Sequence, residues 1–155
     1  MPIKNIVVPT DFSENARLAL DKAVDLACQL GAKIYLLHIQ DESTLRIAVK
    51  EGLLREDSTD ELLQAEVDRL TQERFESLLI SCDVSAIGLE HLTRRGEADV
   101  AIVRFAREIN ADLIAVGLRG AGLMGLLKTA VMGSVAEAVI KKSPCPVLVV
   151  RIEHK

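Results

Sequence analysis

Short apolar runs alternate with amphipathic stretches along the whole chain. Ile3 to Val8 is nearly all apolar, the pattern of a strand buried on both faces, and Pro9 ends it. Asp11 or Ser13 can cap the helix that follows. In that helix Leu20, Ala23, Val24, Ala27 and Leu30 recur at helical spacing, and Gly31 stops it. Lys33 to Ile39 reads as a second strand. Residues 41–58 are charged and irregular, with room for a short helix. Ser58-x-x-Glu61 is a capping-box pattern that predicts a long helix to about Ser81, with Leu63, Val67 and Leu70 on one side. A third strand is predicted over Ile87 to Thr93, and Arg94-Arg95-Gly96 turns into a helix carrying Ile102, Phe105, Ala106 and Ile109. Ala111 to Val116 is strand four, Ser134 to Lys142 the last helix, and Val147 to Ile152 the last strand.

That alternation, β-α-β-α-β-α-β-α-β, predicts the α/β class, a parallel sheet covered on both faces by helices. At 155 residues the chain fits one domain, 1–155. Apolar residues make up 49%, which argues against disorder. Aromatics are only 3% with no Trp, so the core must be aliphatic and stacking platforms for single-stranded nucleic acid are missing. A net charge of −4 argues against nucleic acid and anionic membranes as partners. No apolar run approaches the roughly 18 residues of a spanning helix. The opening MPIKNIVVPTD is not a signal peptide, so a cytoplasmic protein is expected. Cys28, Cys82 and Cys145 are odd in number and widely spaced, which predicts free thiols and no metal site.

Ligands on doubly wound sheets sit at the carboxyl ends of the strands, where strand order reverses. Here those ends carry Pro9-Thr10-Asp11, His38-Ile39, Arg95-Gly96 and Gly117-Leu118-Arg119-Gly120. The last of these leads through a Gly- and Leu-rich loop to Gly133-Ser134, which opens a helix. Glycines let backbone N–H groups approach a ligand, and a helix N-terminus carries partial positive charge; together they form an anion site. Simpler roles compete. Asp11 can be read as a pure cap, Gly117 and Gly120 as a tight turn, and Ser134 with Glu137 as a capping box. Arg119 and Lys128 can be loop charges or phosphate partners. Arg94 and Arg95 read as surface residues and His38 as packing or solvent contact. Leu123, Met124, Leu126, Leu127, Val131 and Met132 form an apolar stripe suited to packing or a partner. No base, nucleophile or pair of metal-binding acids gathers at the strand ends, so the chain is not expected to be an enzyme.

The opening IVVPTDFSENA, the second-strand LLHI, RRGEAD, ADLIAVGLRG and GSVAEAVIKKSPCPVLVVR occur in an order and spacing that resembles the universal stress protein family over about Ile3 to Arg151. The resemblance implies a five-stranded parallel sheet of order 3-2-1-4-5 in a Rossmann-like fold. It implies ATP, alone or with Mg, as ligand, and a role as a stress-response sensor or regulator. Carried over by position, Asp11 stands near the ribose with Pro9 and Thr10 beside it, and Ile39 lies against adenine. Val116 and Gly117 end strand four. Arg119 and Gly120 lie along the phosphates, which Gly133, Ser134 and Val135 hold. The resemblance also implies a homodimer through the C-terminal strand, Val147 to Ile152. The ATP-binding branch has G-x-x-G, nine residues, then G-[ST]; here 12 residues, Ala121 to Met132, separate Gly120 from Gly133. The three extra residues lengthen the loop over the triphosphate while the flanking anchors stay intact. Two alternatives remain open: a non-nucleotide interaction module, and a slow ATPase or phosphotransferase.

Overall fold

Five parallel strands form one sheet in the order β3-β2-β1-β4-β5. The computed structural model describes residues 2–41, 49–52, 60–118 and 132–151. The elements are β1 (Asn5–Pro9), α1 (Glu14–Leu30), β2 (Lys33–Gln40), α2 (Asp60–Ile80), β3 (Gly88–Arg95), α3 (Ala98–Glu108), β4 (Leu113–Gly117), α4 (Ser134–Lys142) and β5 (Val147–Val150). Central β1 pairs with β2 from Asn5↔Lys33 to Pro9↔Leu37, and with β4 at Ile6↔Leu113 and Val7↔Ile114.

Strand alternation sorts the aliphatic side chains into two cores. Ile6, Val8, Ile34, Leu36, Leu113 and Ala115 meet α1 and α2 through Leu20, Ala23, Phe75 and Leu78. Val7, Leu37, Ile114 and Val116 meet α3 and α4 through Ile102, Phe105, Ala136 and Val139. The strands therefore read as continuous apolar runs because both faces are covered. At the amino end of the sheet, Asp112 accepts the N–H groups of Lys4 and Asn5, each at 2.9 Å. Those two bonds hold its carboxyl below the ordinary carboxylate range.

Several boundaries differ from the sequence reading. Ser13, not Asp11, caps α1: its hydroxyl accepts the Ala16 N–H at 3.3 Å. Gly31, at φ 68°, ends that helix in the left-handed conformation as its sequence position predicts. Arg94 and Arg95 belong to β3 instead of a turn, and Gly96 alone, at φ 129°, makes the bend. The buried stripe of α2 is Val67, Thr71, Phe75 and Leu78, with Leu63 packed on Val67, so of the predicted side Leu63 and Val67 face inward and Leu70 lies off the stripe. Ser58 and Ile152 lie outside the described residues. No helix among the described residues is long and apolar enough to cross a membrane.

Candidate functional site

Strand order reverses between β1 and β4, so their carboxyl ends frame a crevice. The β1–α1 turn forms one wall and is tightly bonded. Thr10 is 5% exposed and donates its N–H to the Leu37 carbonyl at 2.8 Å, extending the β1–β2 ladder. Its Oγ1 accepts the Phe12 N–H at 3.0 Å, and Asp11 Oδ1 accepts the Ser13 N–H at 3.0 Å. Phe12 adopts φ 64°, an uncommon conformation for a bulky residue, worth about 1–3 kcal/mol of strain. Its ring is held by His38 (4.8 Å between centroids) and edge-on by Phe75 (5.0 Å).

The opposite wall is the end of β4. Gly117 lies so near the first turn of α1 that a Cβ there would stand 2.8 Å from the Asn15 carbonyl oxygen. Its lack of a side chain thus serves close packing between β4 and α1. Leu118 continues the ladder, donating to Val150 O at 2.9 Å, and its own carbonyl accepts the Gly133 N–H at 2.8 Å. That bond docks the start of α4 against the end of β4. Gly133 is the N-cap, which places Ser134 at the first helical position, so the expected capping box with Glu137 is not formed. The first intrahelical bond runs from Glu137 N–H to Gly133 O at 3.0 Å. The N–H groups of Ser134, Val135 and Ala136 precede it and have no acceptor within the helix.

Charge distinguishes the leading residues of α4 from those of α1 and α3. Both α1 and α3 place a glutamate or aspartate at the cap or first two positions: Glu14, and Glu97 with Asp99. In α4 the sequence Gly133-Ser134-Val135 carries none, and its first acid, Glu137, is bound to Lys141 at 2.9 Å. The cap and first two positions of α4 thus carry no charge to offset the positive end of its dipole, and Glu137, further into the first turn, is paired with Lys141.

The fold brings Pro9, Thr10, Asp11, Val116, Gly117, Gly133, Ser134 and Val135 to this crevice or its rim. Val116 turns its side chain into the core under α3 and α4, so only its backbone faces the strand end. Ile39 is partly buried on that same side of the sheet, while Val135 is 40% exposed. Arg119 and Gly120 lie outside the described residues, as do Lys128 and the apolar stripe from Leu123 to Val131. Met132, the described end of that stripe, packs on the α3–α4 core.

Of two buried polar residues on β2, His38 takes the packing role read from the sequence, though not its bond to Thr10, while Gln40 escaped that reading. His38 is 7% exposed, its Nδ1 lies 2.9 Å from the Thr10 carbonyl, and burial pushes its pKa below the ordinary histidine value. Gln40 is also buried and joins β2 to α2, donating to Thr71 Oγ1 (3.3 Å) and accepting from Gln64 Nε2 (3.1 Å). A lone His or Gln at a strand end carries no pattern that announces burial. A shallow groove between α3 and α4, rimmed by Arg104, Arg107 and Lys142, contains none of the crevice residues.

Fold and crevice together define a doubly wound parallel α/β protein with an anion-favouring helix terminus at its switch point. The universal stress protein family model matches residues 2–151, and the chain belongs to that family. It is similar to a universal stress protein of Methanocaldococcus jannaschii, 34% identical over 98% of this chain and 84% of the relative. Among solved structures, hypothetical protein MJ0577 is 29% identical with TM-score 0.79, covering 100% of both chains. The universal stress protein from Archaeoglobus fulgidus in complex with dAMP is 25% identical with TM-score 0.58, covering 96% of this chain and 98% of the other.

Proposed function

We propose that this protein binds an adenine nucleotide, ATP foremost, in the β1/β4 crevice, and serves in the cytoplasm as a stress sensor or regulator through its liganded state. The observation that carries this reading is the start of α4, where three N–H groups without helical acceptors meet a helix dipole that no leading carboxylate offsets. Phosphate is the natural occupant. The dAMP complex of the Archaeoglobus fulgidus relative supports adenine at the other end of the ligand. Asp11 supplies the sugar contact. A carboxylate can accept both hydroxyls of a ribose diol, and its bond to the Ser13 N–H orients the group. Binding, and not turnover, is the proposed activity, with Mg at most a companion of the triphosphate.

Mass spectrometry of small molecules released from denatured protein should show an adenine nucleotide. Losing hydrogen bonds to the Asp11 carboxylate should cost about 1.5–3 kcal/mol. Asp11→Ala should therefore weaken ATP binding more than tenfold in calorimetry. An intact affinity with lowered thermal stability would return Asp11 to a purely local turn role.

We further propose a homodimer through β5. It is the sheet edge, and Val147-Leu148-Val149-Val150 carries no charge to protect it. Ile114 N–H bonds to Pro146 O and Leu118 N–H to Val150 O, so residues 146 and 150 face β4. By strand alternation Val147 and Val149 turn their N–H and C=O groups outward. A twofold axis would pair those groups with their copies and close the edge. Val149→Pro removes an outward donor and leaves the β4 ladder alone. Sedimentation should show a wild-type dimer and a Val149→Pro monomer; a wild-type monomer at micromolar concentration would defeat the proposal.

A further inference from the structure

Short-range bonds shape the turn carrying Thr10 and Asp11, and two bonds to β2 anchor it. Thr10 Oγ1 to Phe12 N–H and Asp11 Oδ1 to Ser13 N–H each span two residues. From β2, the Leu37 carbonyl accepts the Thr10 N–H at 2.8 Å, and His38 supplies the side-chain contact, its Nδ1 lying 2.9 Å from the Thr10 carbonyl. A carbonyl only accepts, so this contact requires a proton on Nδ1, carried by the Nδ1–H tautomer and by the imidazolium alike. The same imidazole packs on Phe12 at 4.8 Å, and Phe75 meets the Phe12 ring edge-on at 5.0 Å. Phe12 is the one aromatic residue described with positive φ, and such strain persists only where surroundings over-determine it. His38 contributes both constraints, a hydrogen bond before Asp11 and a ring contact after it.

We infer that His38 is a positioning residue for the β1–α1 turn: its Nδ1–H fixes the Thr10 carbonyl and its ring holds Phe12 left-handed, so that Asp11 between them points at the sugar of a bound nucleotide. The last clause rests on the nucleotide reading above; the constraint on the turn does not. His38 touches no ligand in this role and exchanges no proton with one.

Two substitutions separate donor from bulk. Asn presents its Nδ2–H where imidazole presents Nδ1–H, while Leu fills space and donates nothing. Amide hydrogen exchange at Phe12 and Ser13 needs no ligand, and ATP calorimetry reads the consequence. His38→Leu should speed exchange at both amides at least tenfold and weaken ATP binding at least tenfold. His38→Asn should return both to within about threefold of wild type. Equal loss in the two variants, or unchanged exchange in His38→Leu, would overturn the inference. If wild type binds no adenine nucleotide, the functional reading fails, and the exchange contrast still decides the positioning role.

Should His38→Leu not fold, pH supplies the second measurement. The groups around the imidazole are the Asp11 and Asp41 carboxylates, which favour its cation, and Arg74, which opposes it; His91 lies beyond Phe75. Burial dominates and lowers the pKa, so the folded turn takes up a proton less readily than the unfolded chain. The stabilisation is complete above about 6.5, the ordinary histidine value, and is lost as pH falls toward the depressed folded value. Protection of Phe12 and Ser13, corrected for intrinsic exchange, should fall over that window in wild type and stay level in His38→Asn. Identical pH profiles would overturn the assignment.

Discussion

Gly133→Val is expected to abolish adenine-nucleotide binding while the fold persists. Gly133 is the N-cap of α4 at φ −65° and ψ 153°, a region open to any L-residue, so the backbone itself does not require glycine. The cap position matters for another reason. An N-cap side chain lies over the N–H groups of the next turn, which is how Ser, Asp and Asn satisfy them. Valine would set two methyl groups there, over the donors of Ser134, Val135 and Ala136, and offer no acceptor in exchange. If two charge-assisted bonds to phosphate are lost at about 1.5–3 kcal/mol each, affinity should drop more than a hundredfold. Exchanging glycine for a poor capping residue should cost at most about 2 kcal/mol of stability, leaving folded protein to assay. Calorimetry with ATP on variant protein of native circular dichroism is the measurement. An unchanged affinity would remove phosphate from the start of α4.

The sheet was legible because its physics is local. Ile6 to Val8 reads as a strand covered on both faces, because the aliphatic run is short, rich in β-branched residues and ended by Pro9. Gly31 in the left-handed conformation and Ser13 as a cap are likewise readable from a few neighbouring residues. Strand order was a different matter: the order β3-β2-β1-β4-β5 was implied by resemblance and is not encoded in periodicity. In the crevice the sequence exposed the polar and glycine anchors but not what holds them. His38 meets Thr10 across 28 residues of chain, and the Phe12 ring meets Phe75 from another element. Nothing in FSEN announces a left-handed phenylalanine, because the conformation comes from tertiary contacts. Ser134 misled for a local reason: Gly133 before it also serves as a cap, and two adjacent candidates cannot be ranked without the docking bond from Gly133 to Leu118.

Gly117→Ala should test the other glycine anchor with the opposite signature, a loss of stability rather than of a ligand contact. The added Cβ would lie 2.8 Å from the Asn15 carbonyl oxygen and 2.9 Å from its carbonyl carbon. These are backbone atoms in the first turn of α1, and that turn is tied by the Ser13 cap and by Arg17 N–H to Ser13 O at 3.0 Å. Neither can step aside as a flexible side chain would. β4 is also constrained: its start, Leu113 and Ile114, pairs with β1, and its end, Val116 and Gly117, pairs with β5. Forcing a methyl group into such a contact typically costs about 1–3 kcal/mol. For a chain of this size that corresponds to roughly 2–12 °C in Tm, with the upper part expected here because both neighbours are backbone. ATP affinity should change less than in Gly133→Val, since the methyl group meets α1 and not the α4 donors. The pair of variants thus divides the two glycines by function: Gly117 lets β4 approach α1, and Gly133 leaves the phosphate donors open. A Gly117→Ala protein with wild-type Tm and lost nucleotide affinity would reverse that division and place Gly117 against the ligand.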